Sequence, residues 1–140
     1  MSTPFRPDIS KKNQYWISKH RYYELKHFCL QYNEWKQEYK ELSYISSCDV
    51  VDGTCKDGMK AENVSNTAYE LSKIRSKMDL IEETCRDVDS DLYLYLMMSV
   101  TEGKTYENLS TVYEIPCSRQ SFYGRYRKFF YILSQKLHSI

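Results

Sequence analysis

The chain has 140 residues, 20 of them Lys or Arg and 19 Asp or Glu, for a formal net charge of +1, and 41% are apolar, 15% aromatic and 28% charged. That length suits one compact domain or two small helical ones, and the apolar share excludes a chain disordered by composition. Only four glycines and three prolines interrupt it, which argues against a turn-dense β fold and for a mostly α protein.

The charge is unevenly spread. Residues 1–61 hold 10 basic and 8 acidic groups, residues 62–103 hold 4 and 9, and residues 104–140 hold 6 and 2. An acidic middle and a basic end assign any nucleic-acid contact to the C-terminus. No apolar run reaches the roughly 18–20 residues of a membrane span. The opening MSTPFRPDISKK lacks the apolar stretch of a signal peptide, so a cytoplasmic protein without a membrane partner is expected. The cysteines, at 29, 48, 55, 85 and 117, form no CxxC pair. They read as buried free thiols rather than as a zinc site or a disulfide framework.

Residues 1–12, with Pro4 and Pro7, read as a flexible arm. Residues 13–43 form an aromatic-rich helical region. Tyr15, Trp16, Tyr22, Tyr23, Leu25, Phe28, Cys29 and Tyr32 recur at helical spacing, and Trp35, Tyr39 and Leu42 follow with steps of four and three. The pattern predicts helices over 14–32 and 34–43, or one kinked helix. Its aromatics serve either as core or as an interaction face. Residues 44–63 contain Asp52-Gly53 and Asp57-Gly58 and read as a loop, with a weak hairpin around Asp52-Gly53 as the alternative. From residue 64 a helical body is expected. Leu71, Ile74, Met78, Ile81 and Cys85 mark a helix over Thr67–Val88, and Ser90 or Asp89 is placed to cap the next one. That next helix, around Leu92–Val100, is apolar almost all round and therefore central, with Gly103 ending it.

The last segment, KTYENLSTVYEIPCSRQSFYGRYRKFFYILSQKLHSI, spans residues 104–140. Thr105 caps a short helix to Tyr113, with Leu109 and Val112 or Tyr113 facing inward. Pro116 forces a turn. Ser118 caps a final helix whose Phe122, Tyr126, Phe129, Leu133 and Leu137 share one face. Two helices across a short turn, the second basic, is the helix-turn-helix plan, predicted at 104–137 with the Leu92–Val100 helix as the third member of a trihelical unit. With the apolar stripe packed, Arg119, Gln120, Tyr123 and Arg127 are expected to point largely outward. Arg pairs bidentately with guanine and Gln with adenine. Arg125, Arg127 and Lys128 suit phosphate contacts. The candidate DNA-binding residues are thus Ser118, Arg119, Gln120, Tyr123, Arg125, Arg127 and Lys128.

TYENLSTVYEIP resembles the first helix and turn of the helix-turn-helix in the fourth region of sigma factors. The whole chain, ending in IPCSRQSFYGRYRKFFYILSQKL, is similar to small phage and prophage regulators of the RinA/ArpU type. The resemblance implies control of phage late or packaging genes by promoter binding. Its specific part covers about 35 residues of the 140. Two positions depart from the pattern: Glu114 stands where Gly usually precedes the Ile-Pro pair, and the first core residue after Pro116 is Phe122, about two positions late.

The expected function is sequence-specific duplex binding in transcription regulation, without catalysis, cofactor or metal. No nucleophile elbow, P-loop, HExxH or dinucleotide fingerprint occurs. The row of His20, Glu24 and His27 on one helix face is too widely spaced for one ion. Asp87, Asp89 and Asp91 lack the glycine of a calcium loop. Double-stranded DNA is the expected partner, with RNA polymerase, a host protein or a second copy of the chain as further candidates. The rival functions are a phage-encoded protein-interaction module or inhibitor of a host system, and a small terminase subunit.

Overall fold

The computed structural model describes the backbone of residues 14–52 and 59–138, and the side chains of 14–44 and 66–138. Among the described residues there are six α-helices and no strand: α1 Lys19–Leu30, α2 Tyr32–Asp52, α3 Met59–Val88, α4 Tyr93–Glu102, α5 Tyr106–Tyr113 and α6 Arg119–His138. The mostly α expectation holds.

The elements differ from expectation chiefly in the middle. The break between the first two helices falls at Gln31, whose backbone N–H turns back on the carbonyls of Phe28 and Cys29. Residues 44–52 continue α2 and residues 59–63 already belong to α3. The expected 44–63 loop is therefore helical over most of its length, which also removes the hairpin. The turn dipeptides predict a break but not its width, because a helix propagates at little cost per residue once nucleated. Residues 53–58 and the 1–12 arm lie outside the described residues.

The chain divides into two compact units, one of residues up to Gln31 together with Ile81 onward, the other Tyr32–Leu80. In the second unit Trp35, Ile74 and Met78 are buried, and the Lys77 ammonium lies 5.4 Å from the Trp35 ring centroid. The first unit holds the larger core and the candidate site. There α1 packs against both α4 and α6, a partner that the expected three-helix unit did not include. Ser18 caps α1, its side chain accepting from the Arg21 N–H at 3.3 Å.

The core of this unit is aromatic. Leu25, Ile81, Leu96, Leu109, Phe122, Phe129, Phe130 and Leu133 are essentially inaccessible. The Tyr22 ring meets Phe130 edge-on at 5.1 Å, and Tyr126 meets Phe130 at 4.9 Å. The Tyr22 and Tyr126 hydroxyls are hydrogen-bonded to each other at 2.9 Å across the buried α1–α6 contact. Arg21 ties the same helices at their edge, donating to the Ser134 hydroxyl at 3.0 Å and carbonyl at 3.2 Å. Of the N-terminal aromatics, Tyr22 and Trp35 belong to the core, while Tyr23 is exposed. Cys29 and Cys85 are buried free thiols, and Cys117 is a half-buried one; Cys48 and Cys55 lie outside the described side chains.

Burial holds the Tyr22 and Tyr126 phenols above their ordinary value of 10.0. It does the same to the Cys29 and Cys85 thiols, whose ordinary value is 9.0. These groups stay protonated in the folded chain after their unfolded counterparts have ionised. Above those ordinary values the unfolded state binds fewer protons, so stability falls as pH rises. Denaturant titrations from about pH 8 to about pH 11 should show full stability up to roughly pH 9 and a progressive loss beyond it. Replacing both tyrosines with Phe should flatten the part above pH 10. A pH-independent midpoint would contradict the burial of these four groups.

Candidate nucleic-acid interface

Thr105 opens α5 by accepting the Asn108 N–H at 3.3 Å, and Ser118 opens α6 by accepting the Ser121 N–H at 3.2 Å. Both caps stand where the sequence predicts them. Five residues, 114–118, link the helices. Glu114 takes left-handed backbone angles, φ 52 and ψ 50, the conformation a glycine adopts without penalty. The departure from the family-like pattern noted at Glu114 thus falls on a residue that does what glycine would do there. Ile115 is buried beneath the turn, and its N–H closes on the Leu109 carbonyl at 3.3 Å. Leu109 is fully buried as expected, but Val112 and Tyr113 are exposed. At eight residues, α5 is short enough for Leu109 and the turn residue Ile115 to cover its inner side.

The turn is closed by polar contacts. The Tyr106 hydroxyl donates to the Cys117 carbonyl at 2.6 Å, and the Tyr106 N–H donates to the Tyr123 hydroxyl at 3.3 Å. The Arg119 guanidinium pairs with the Glu107 carboxylate and lies 5.5 Å from the Tyr123 ring centroid. A stacked and ion-paired Arg is held in one direction rather than sweeping through solvent.

The seven candidate residues do not form one surface. Ser118 is occupied in capping. Arg119 and Tyr123, four apart, lie toward α5. Tyr123 is half-buried with its hydroxyl engaged, so its expected outward position is corrected: the neighbouring N-terminus of α5 offers that hydroxyl a donor. Gln120, Arg127 and Lys128 fall on one outer stripe with Gly124, at spacings of four, three and one, as residues on one helical face do. Gln120 is exposed, while Arg127 is only half-exposed, which corrects the outward placement of Arg127 in part. Desolvation lowers the Arg127 pKa below the ordinary arginine value.

Arg125 occupies the third side. Its Nε donates to the Asp89 carboxylate at 3.1 Å and one terminal nitrogen donates to the Ser121 hydroxyl, also at 3.1 Å. The other oxygen of Asp89 accepts from the N–H groups of Asp91 at 3.0 Å and Leu92 at 3.3 Å. Asp89 thus caps the entry to α4 and neutralises Arg125 at once. Desolvation works against its charge, but the hydrogen bonds from Arg125 and the two backbone donors outweigh it and hold the carboxyl below its ordinary 3.8. Arg125 is therefore a structural cation more than a free one. Sequence reasoning found Asp89 as a cap but not as the partner of a residue 36 positions away, which no local pattern encodes.

The outer stripe borders a concavity of about 660 Å³, lined by Gln14, Tyr15, Val88, Gly124, Arg125, Arg127 and Lys128. Three of these described residues are cations and none is a carboxylate. The Tyr15 ring is seated edge-on against Tyr131 of α6, 5.6 Å between centroids, and Gln14 and Tyr15 line the same concavity as the stripe. Gly124 is an ordinary helical residue, and among the described residues a Cβ there would meet no atom within 4 Å. Neither conformation nor packing calls for glycine, although its presence in a helix interior costs about 1 kcal/mol relative to Ala. Gln14, Tyr15, Gly124 and Glu107 were absent from the sequence candidates. Only Gly124 carried a local signal, as a lone glycine in a helical pattern.

Elsewhere the expected His20, Glu24 and His27 row is exposed, and Glu24 pairs with Arg21. Among the described residues no group of three or more His, Cys, Asp or Glu side chains is placed to hold a metal ion, and no helix is long and apolar enough to cross a membrane. Comparison of the chain with protein-family models, with curated proteins and with solved structures finds no match.

The left-handed Glu114 yields a direct test. Glu114→Gly removes a backbone penalty of about 1 kcal/mol and an acid at a helix C-terminus, where the dipole disfavours it. Thermal unfolding should shift upward by a few degrees. An unchanged or lower midpoint would mean that Glu114 makes a compensating contact.

Proposed function

We propose that the chain is a sequence-specific duplex DNA-binding regulator of transcription, of phage or prophage type, with α6 entering the major groove by its N-terminal turns. The observation that carries this reading is the opening of α6. Arg119 is exposed yet held by Glu107 and the Tyr123 ring, and Gln120 is exposed beside it. Arg127 and Lys128 follow on the outer side of the helix. Arg and Gln at a helix start match guanine and adenine edges, and cations one to two turns later match the phosphates that flank a groove. The resemblance to sigma-like helix-turn-helix regulators supports the phage assignment. On this reading the protein has no catalytic step and no cofactor, and works in the cytoplasm.

A protein-interaction role, as an inhibitor of a host system, is the second reading. Leu94 and Val112 favour it, being 68% and 60% exposed on α4 and α5.

Selection of bound duplexes from a random pool tests the first reading, with Arg119→Ala and Lys128→Ala in parallel. The wild type should enrich a defined site. Arg119→Ala should lose about 1–3 kcal/mol of discrimination at one base pair. Lys128→Ala should weaken all sequences alike and reduce the dependence of affinity on salt by about one phosphate's worth. A pool that never enriches would sink the DNA reading. A host protein retained without DNA would then favour the second, and a large closed ring in light scattering would favour the small terminase alternative.

A further inference from the structure

The concavity beside α6 has a chemistry that the opening of the helix does not account for. Its described lining includes Arg125, Arg127, Lys128, Gln14 and Tyr15, and none of the described lining residues is a carboxylate. Asp89 answers the charge of Arg125. Lys128 and Arg127 border the same space from one turn of α6. One turn before them Gly124 leaves the helix bare, and a Cβ there would meet no described atom within 4 Å. A glycine that no backbone angle or neighbour requires, set among cations in a hollow, is what close approach of an anion to a helix needs. The volume, about 660 Å³, lies in the range of ligand sites and exceeds what one simple ion fills. Tyr15 adds a π-face, on which a base or sugar packs next to a held phosphate.

We propose that this concavity is a phosphate-binding site, in which Arg127 and Lys128 hold the phosphoryl oxygens, Gly124 admits the group against the helix and Tyr15 packs on the attached nucleoside. The phosphate belongs either to a polynucleotide backbone or to a free nucleotide. In its polynucleotide form the proposal rests on the DNA-binding reading and extends the contact surface to Gln14 and Tyr15. In its free form it stands without that reading.

Full-length wild type, Gly124→Ala, Gly124→Leu and Arg127→Gln are titrated with two probes. One is a duplex of the selected sequence, or a random-sequence duplex if none is selected, followed by anisotropy. The other is inorganic pyrophosphate, followed by calorimetry. Gly124→Ala should raise the thermal midpoint, because Ala is the better helix former, and yet weaken binding severalfold. Gly124→Leu and Arg127→Gln should each weaken binding about tenfold or more, the scale of a lost charged hydrogen bond. Opposite movement of stability and affinity in Gly124→Ala separates a blocked site from a damaged fold.

Loss with duplex alone assigns the site to a polynucleotide, and loss with pyrophosphate as well assigns it to free phosphates too. If the wild type binds duplex with its Arg119-dependent base preference and the Gly124 and Arg127 variants bind equally well, the phosphate site is overturned while the DNA reading stands. If duplex does not bind but pyrophosphate does, in a Gly124-dependent way, the DNA reading falls and the site stands. If neither probe binds, both are overturned.

Discussion

The rotational setting of α6 governs everything at the C-terminal end of this protein, and one buried aromatic contact determines it. Phe122, Tyr126, Phe129, Phe130 and Leu133 are buried together on that helix, and Tyr22 of α1 is packed among them with its hydroxyl on that of Tyr126. Rings of this size contribute the largest single shares of a small core, about 3–5 kcal/mol each by the cost of truncating a Phe. The buried hydroxyl pair adds direction. Turning α6 by one residue, about 100°, would strand both phenols and drive Arg127 or Tyr123 into the core. The outer stripe of Gln120, Gly124, Arg127 and Lys128 is therefore a consequence of how Tyr22 and Tyr126 meet, and a change in that contact reaches a surface it does not touch.

A second constraint fixes α5 against the start of α6. The linking segment is one or two residues longer than the three or four common in helix-turn-helix motifs, and the late arrival of Phe122 after Pro116 is its trace in the sequence. Tyr106 compensates from both its ends. Its hydroxyl holds the turn at Cys117 and its backbone N–H holds Tyr123, while Ile115 fills the space beneath. The same contacts that close the longer turn take Tyr123 out of the exposed set and give Arg119 its ring and its carboxylate. Lengthening the turn and pre-aiming the arginine are thus one structural event.

What could be read in the chain beforehand follows this division between local and distant causes. Helix identity, the caps at Thr105 and Ser118, the left-handed Gly103 with φ 73 and the inward face of α6 are all local, set by spacing and by terminal hydrogen bonding. The extension of α2 and α3 into residues 44–63 was hidden because two Asp-Gly pairs suggested a wide break. The division of the seven candidate residues among three sides of α6 was hidden for a different reason. A helical wheel orders side chains around an axis but does not say which neighbour claims each. Asp89 claims Arg125, the N–H of Tyr106 claims Tyr123, and Glu107 claims Arg119.

The cations of α6 consequently differ in kind, although the sequence presents them as one basic run. Arg125 gives its charge to Asp89 and helps anchor the entry to α4, so its contribution to any distant anion is largely cancelled at short range. Arg119 shares its charge with Glu107 at an exposed site, where solvent keeps such a pair weak. An incoming acceptor that offers two lone pairs in the guanidinium plane can displace it at modest cost. Arg127 carries a charge against partial desolvation. A cation in that position is stabilised by an arriving anion more than an equally placed solvated one would be, because the lower-dielectric flank strengthens the attraction and part of the desolvation has already been met in folding. The position where the fold bears this cost is also the position beside the bare backbone of Gly124. The two features are independent in origin, one electrostatic and one steric, and they converge on the same few ångströms of helix surface.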